Sequence, residues 1–117
     1  MKLINTNREQ ENKTMASFLV VVKHIRPNTD VAFWEKSPEH QAVVDGYKDS
    51  GIIENFEELF SDDNLIRTQK TRFPNEAAYN AFKEDPGIVA GSAETAKYNS
   101  KNGIRVARYN KIINPPS

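Results

Sequence analysis

The apolar positions from Phe18 to Ile25 predict a β-strand that is covered on both of its faces. Val, Leu, Ile and Phe fill most of this stretch, and such residues favour a pleated surface. One side of the strand carries Phe18, Val20 and Val22, and the other carries Leu19, Val21 and Ile25. Exposing side chains of this size to water costs about 1.5–3 kcal/mol each relative to burial. We therefore expect this strand to lie at the centre of its sheet, with a packed layer on each side.

Helical signals follow the first strand. A short helix is expected to begin with Thr29 or Asp30 as its cap and to carry Trp34. Ser37 and Pro38 then supply an N-cap side chain and a proline suited to the first helical position. One face of the helix that they open carries His40, Val43, Val44 and Tyr47 at the i, i+3, i+4, i+7 spacing. Gly51 is expected to stop this helix.

The second half of the chain repeats the same kinds of signal. Its predicted elements are a strand over 55–60, a strand over 65–73, a helix from Pro74–Asn75, a helical stretch from Ser92 to Tyr98 and a strand over 105–113. The turn cluster at 62–64 joins the two strands into a hairpin. Asp85-Pro86-Gly87 interrupts the helix, because proline disfavours helix at the residue before it.

The resulting order is strand, helix, strand, strand, helix, strand, which is typical of the α+β ferredoxin-like sandwich. Right-handed crossovers then place the first and third strands at the centre of a four-stranded antiparallel sheet with its helices on one face. We expect one domain over residues 15–113, a disordered leader over 1–14 and a short tail over 114–117. The face without helices still carries an apolar side of the first strand, so we expect a second copy to cover it and form a homodimer.

Composition narrows the function mainly by exclusion. The 117 residues contain no cysteine, which removes disulfides, thiolate metal sites and cysteine nucleophiles. Sixteen basic and sixteen acidic residues cancel, so no bulk attraction to nucleic acid or to a membrane is expected. No apolar run is long enough to span a bilayer, which indicates a cytoplasmic protein. We expect neither a nucleic-acid partner nor a membrane partner, and no metal site.

The stretch from Phe73 to Pro86, FPNEAAYNAFKEDP, resembles a known superfamily. In the dimeric α+β barrel proteins, which include the antibiotic-biosynthesis-monooxygenase-like proteins, the third strand commonly runs into a helix with a similar pattern. The resemblance implies that Tyr79 and Phe82 anchor this helix on the sheet. It also implies a dimer of sheets with a pocket between helices and sheet in each subunit. Members include cofactor-free oxygenases, haem-degrading enzymes and small isomerases, and we expect no cofactor here.

If such a pocket exists, aromatic and imidazole side chains are the candidates to line it. His24, near the end of the first strand, is the candidate catalytic base, because imidazole titrates near neutral pH. The other reading of His24 is a strand-end residue satisfied by a backbone carbonyl or by water. The candidate substrate-binding residues are Trp34, His40, Tyr47 and Tyr79. Trp34 and His40 also have plainer readings, as a core anchor and as a residue of the first helical turn.

Basic residues populate the third and fourth strands. An RNA-binding sheet would need exposed aromatic residues on its central strands, and the third strand has only Phe73 at its end. An anionic ligand held by two or three arginines is a second reading. We favour a third, in which these cations pair across strands with Glu57 and Glu58.

Two functional hypotheses remain. In the first, the protein binds a small apolar or aromatic molecule in a helix–sheet pocket, with His24 as the proton acceptor of a cofactor-independent oxygenation or isomerisation. In the second, it is a non-catalytic dimeric interaction or regulatory module. No phosphate-binding glycine loop, nucleophile elbow or metal-binding motif favours another class of enzyme.

Overall fold

A computed structural model describes residues 17–113. The predicted leader over 1–14 and the tail over 114–117 lie outside the described residues. The elements in chain order are β1 (Ser17–Ile25), α1 (Pro38–Asp49), β2 (Asn55–Phe60), β3 (Ile66–Phe73), α2 (Glu76–Lys83), α3 (Pro86–Asn102) and β4 (Arg105–Ile113). The four strands form one antiparallel sheet in the order β2-β3-β1-β4. The predicted ferredoxin-like sandwich with β1 and β3 at its centre is confirmed.

The pairing register assigns each strand residue to one of two sheet faces, because directly opposed residues share a face. Val22 of β1 lies between Gln69 and Arg108, and His24 lies between Arg67 and Val106. All six residues belong to the face that α1 and α3 approach. We call this the helix face and the opposite side the open face.

The helices begin where the sequence provides side-chain caps. The Ser37 hydroxyl accepts a hydrogen bond from the backbone N–H of His40 and opens α1, with Pro38 in the first turn. Asn75 opens α2 by accepting from the N–H of Ala78. At the far end of α3, Gly103 adopts a left-handed conformation (φ 71°), which ends the helix at low steric cost.

Two sequence predictions about helices are wrong. Residues 29–34 form bends and irregular chain instead of a short helix. In that segment the Arg26 guanidinium donates to the carbonyl oxygen of Val31, so side-chain bonds replace helical ones. The last helix begins at Pro86 and not at Ser92, because Asp85 caps it and proline is well suited to its first turn. The break before Pro86 is therefore a junction between two helices.

The hydrophobic core lies between the helix face and the helices. Phe73, on β3, is 1% exposed and packs with Tyr79 and Phe82 of α2 at ring-centroid distances of 5.3 and 5.2 Å. Phe18 of β1 stacks on Tyr79 at 5.4 Å. Such aromatic packing anchors α2 on the two central strands, in the way that the helix pattern implied.

The open face of β1 is already covered within the single chain. Val21 is 1% exposed and Leu19 is 9% exposed. Lys70 and Tyr109 stand directly beside Val21 in the register. A second copy is therefore not required to bury these two side chains, in contrast to the expectation from the sequence. Within residues 17–113, no helix is long and apolar enough to cross a membrane.

Candidate functional site

A cleft opens on the helix face between the ends of the central strands and the helices α1 and α3. Its volume is about 290 Å³. The sheet contributes Val22, His24, Arg67, Gln69, Val106 and Arg108. The linker between β1 and α1 contributes Trp34 and Lys36, and the helices contribute His40, Ser92, Thr95, Ala96 and Asn99. An adjoining space of about 540 Å³ shares six of these residues and continues over apolar side chains such as Phe56 and Phe82.

The linker that forms one lip of the cleft is held in place by aromatic and hydrogen-bond contacts. The Phe33 ring contacts two guanidinium groups, with its centroid 4.3 Å from Cζ of Arg26 and 4.9 Å from Cζ of Arg67. Arg67 also donates from Nη1 to the carbonyl oxygen of Trp34 at 3.2 Å. On the other side, the Tyr98 hydroxyl of α3 donates to the carbonyl oxygen of Ala32 at 2.7 Å. The Trp34 indole and the Lys36 ammonium group therefore lie on a chain segment that is fixed both to the sheet and to the helices.

His24 lies at the floor of the cleft. It is 5% exposed, and its Nδ1 has no hydrogen-bond partner among the described residues. The pKa of His24 is lowered from 6.5 to about 4, mainly by burial and also by the positive charges of Arg67, Arg108 and Lys36, against an opposing effect of Glu58. The imidazole is therefore neutral at physiological pH.

His40 faces the same cleft from α1. Its ring centroid lies 5.8 Å from that of Trp34. Its Nδ1 is buried without a hydrogen-bond partner among the described residues, and the ring packs where a side chain of residue 91 would otherwise lie. Burial is the main cause of the lowered pKa of His40, and the charge of Lys36 adds to it. Gly91 on α3 is therefore what admits the ring to this position.

The charges around the cleft are predominantly positive. Arg67 is 6% exposed, and its Nε has no hydrogen-bond partner within residues 17–113. The closest carboxylate is that of Glu58, with Oε2 4.0 Å from Nε, and the same oxygen accepts a hydrogen bond from Gln69 at 2.9 Å. Burial and the neighbouring Arg67 lower the pKa of Lys36. The sequence favoured pairing of the basic residues with Glu57 and Glu58. Arg67 makes this pairing only at long range, with Glu58.

Asn99 is a site residue that sequence reasoning missed. It is 4% exposed within α3, it lines the cleft, and its Nδ2 has no hydrogen-bond partner among the described residues. A single asparagine in a polar helical stretch does not indicate a binding site in the sequence. Its role depends on the rotation of α3 about its own axis, which determines whether Asn99 points to the cleft or to solvent.

The predicted substrate-binding residues separate into two groups. Trp34 and His40 line the cleft together with the predicted base His24. Tyr47 lies elsewhere, packs against Phe82 at 5.0 Å and donates from its hydroxyl to Asp85 at 2.5 Å. Tyr79 is part of the aromatic core and does not line the cleft.

Metal-binding geometry is absent from the described part of the chain. No group of three or more His, Cys, Asp or Glu side chains within residues 17–113 is arranged to hold a metal ion. The two imidazoles at the cleft are accompanied by cations, which oppose the binding of a metal cation there.

Comparison with known proteins identifies the fold. No protein-family model matches the sequence, and no curated protein matches it. A conserved protein of unknown function from Bacteroides thetaiotaomicron, described as a possible oxidoreductase, superposes with a TM-score of 0.61 at 6% identity over 85% of this chain and 99% of the other. A dimeric ferredoxin-like protein from an uncultured marine organism gives 0.52 at 7% identity over 87% and 99%. SnoaB, a cofactor-independent oxygenase from Streptomyces nogalater, gives 0.51 at 7% identity over 87% and 95%.

Identities this low show a shared fold and no more, since one fold hosts many functions. These structures confirm the fold that the order of elements predicts. The chain has the ferredoxin-like α+β fold that antibiotic biosynthesis monooxygenases also have.

Proposed function

We propose that the helix–sheet cleft binds a small, largely apolar or aromatic molecule and that the protein is an enzyme of the cofactor-independent oxygenase or isomerase type. One observation carries the proposal. Three deeply buried side chains that line one cleft, His24, Arg67 and Asn99, each present a polar nitrogen without a hydrogen-bond partner among the described residues. Buried polar atoms are nearly always paired. A bound molecule with polar groups of its own would provide the partners that these nitrogens lack.

The walls of the cleft support an apolar or aromatic ligand. Trp34, Val22 and Val106 contribute hydrophobic surface, and the adjoining space continues this surface over Phe56 and Phe82. The combined space is in the range of small-molecule sites, about 300–1,000 Å³. Apolar walls with a few converging polar groups are the usual composition of such sites.

His24 is the proposed proton acceptor. A neutral imidazole takes a proton from an acidic C–H or O–H group of the substrate, and the nearby Arg67 and Lys36 stabilise the anion that forms. In an oxygenation this anion reacts with dioxygen, and in an isomerisation it is reprotonated at another atom. Trp34 and His40 position the substrate. The oxygenase activity named for SnoaB is consistent with chemistry of this type on the same fold.

The test is a thermal-shift screen with small aromatics, quinones, flavins and haem, using two matched variants. Ala96 lines the cleft, and Ala93, three residues earlier on α3, does not. Ala96→Phe is expected to abolish the shift caused by any ligand of the cleft, and Ala93→Phe is expected to leave it unchanged. Equal shifts in both variants would place the ligand elsewhere.

Turnover is tested separately with any ligand that the screen identifies. His24→Ala is expected to remove turnover while binding persists, since the imidazole is proposed to act on the bound substrate. Unchanged turnover in His24→Ala would overturn its assignment as the base. A screen without any shift would favour the second hypothesis, a dimeric interaction module without a substrate.

A homodimer through the open face is a further part of the proposal. The open face carries the exposed side chains of Leu59 and Tyr109, at 48% and 50% exposure. A neighbouring structure with this fold is described as dimeric. Two copies that face each other across this surface would bury both side chains, in line with the symmetric pairing expected from the sequence. The cytoplasmic location expected from the sequence stays a prediction.

A further inference from the structure

We infer that the ligand of the cleft is an organic acid, and that Arg67, Lys36 and Arg108 form the subsite for its carboxylate. This inference rests on the proposed function, since it concerns the same cleft. It adds a substrate class, a small apolar or aromatic carboxylic acid, and it assigns the specificity for that class to these three cations.

Arg67 is the centre of the subsite. Its guanidinium is almost fully buried, and one of its nitrogens, Nη1, is engaged by the carbonyl oxygen of Trp34. In the part of the chain that the structure describes, its Nε has no hydrogen-bond partner. A buried cation is costly unless an anion pairs with it. Because Glu58 stands 4.0 Å from Nε and is already bonded to Gln69, this carboxylate does not provide a close ion pair.

Two more cations converge on the same space. Lys36 reaches it from the linker and Arg108 from β4, and both line the cleft beside Arg67. Among the residues that the structure describes, no Asp or Glu lines this smaller volume. Glu35 and Glu58 line only the adjoining space, so the three positive charges give the smaller volume a field that attracts an anion and opposes a cation. Arginine is also the side chain whose geometry best suits a planar carboxylate.

The apolar surfaces decide between an organic acid and an inorganic anion. Trp34, Val22 and Val106 lie in the same lining as the three cations. Phosphate or sulfate would leave these surfaces in contact with water, whereas an apolar carboxylic acid buries them. Asn99 adds an unpaired amide donor, which suits an oxygen of the ligand.

The experiment compares two probes of nearly equal shape, 2-naphthoate and its uncharged amide, 2-naphthamide, by calorimetric titration. We expect naphthoate to bind about ten-fold more tightly or better, since hydrogen bonds to charged groups are the stronger ones. Arg108→Gln, at an exposed position of β4, is expected to reduce this preference several-fold. Arg105→Gln removes the same charge from the same strand on the open face and is the matched control.

Arg67→Met is expected to abolish the preference for naphthoate. If this substitution of a buried residue prevents folding, Arg108→Gln still tests the subsite. Equal affinity for the two probes would overturn the organic-acid inference and leave the ligand pocket standing. Equal losses in Arg108→Gln and Arg105→Gln would overturn the subsite, because only the overall charge would then matter. If neither probe binds while a neutral molecule of the screen does, the inference is wrong and the proposed function survives. If nothing binds at all, both fail.

Discussion

Gly91 of α3 makes room for the imidazole ring of His40 on α1. A methyl group at position 91 would overlap this ring, its Nδ1 included. The two helices therefore meet at a point where one residue must lack a side chain so that the other can reach the cleft. The small size of glycine is needed here for close approach and not for a positive φ angle.

Gly91→Ala is expected to lower the free energy of unfolding by about 1–3 kcal/mol, because overpacking displaces the ring. In a His40→Ala background the same change should be neutral or stabilising by up to about 1 kcal/mol, since alanine favours a helix over glycine. Chemical denaturation of the two single variants and the double variant measures this coupling. Gly46→Ala on α1, where nothing lies near the added methyl group, is the control and should be stabilising. Additive effects at positions 40 and 91 would contradict the packing described.

Stability should depend on pH through His24. The unfolded chain protonates this imidazole near 6.5 and the folded chain near 4, so the unfolded state binds more protons between these values. The contribution of His24 is therefore complete above about pH 6.5 and is lost as pH falls towards 4. Denaturant unfolding at about pH 7 and about pH 5 should show this loss in the native protein and less of it in His24→Asn. An imidazole of His24 that titrates near its ordinary pKa in NMR spectra would refute the burial argument.

Tyr47 is expected to act in structure and not in ligand binding. Its hydroxyl bonds Asp85 at the junction of α2 and α3, and this bond raises the pKa of Tyr47 and lowers the pKa of Asp85. Tyr47→Phe should therefore lower the melting temperature modestly and leave the affinity for a cleft ligand unchanged. Trp34→Phe is the contrasting variant, with reduced affinity and a small effect on stability. The reverse pattern would show that Tyr47 contacts the ligand.

The proposed dimer should become tighter as salt rises. The open face carries the basic side chains of Lys23, Lys70, Arg72, Arg105 and Lys111, and Glu57 is the acidic residue that the register places on it. Two such faces repel each other at low ionic strength, and salt screens this repulsion. Sedimentation at low and high sodium chloride measures the effect, with Tyr109→Asp as a variant expected to weaken association. A monomer under all conditions, or a dimer that dissociates in salt, would contradict pairing through this face.

Most of the fold follows from local signals in the sequence. The bounds of β2 and β4 agree with the prediction, and the caps Ser37 and Asn75 open helices where expected. These elements depend on side chains close to them in sequence. The helix predictions at residues 29–34 and at Ser92 were wrong, because tertiary contacts decide the first and the position of a proline decides the second. In the first, long-range hydrogen bonds from Arg67 and Tyr98 hold the linker, and in the second, a proline that breaks one helix starts the next.

The candidate site was less predictable than the fold. His24, Trp34 and His40 were identifiable as chemistry-bearing residues, and the strand alternation placed His24 on the correct face. The roles of Arg67, Arg108 and Asn99 depend on the register of β3 and β4 and on the rotation of α3. The sequence contains both arginines but does not reveal that one is buried without a close acid. The sequence also leaves two interpretations of the basic residues open, pairing with carboxylates and binding of an anionic ligand. Only the three-dimensional positions of these residues distinguish the two.

The most direct test of the central claim is an NMR titration of isotope-labelled protein with a ligand identified by the screen. Trp34 is the only tryptophan, so its indole N–H is a single signal from the lip of the cleft. We expect the largest shifts at this indole, at the side-chain amide of Asn99 and at the ring of His24, with little change at Tyr109 on the open face. Shifts centred on Tyr109 or on the outer surface of α3, with the Trp34 indole unmoved, would show that the cleft is not the ligand site.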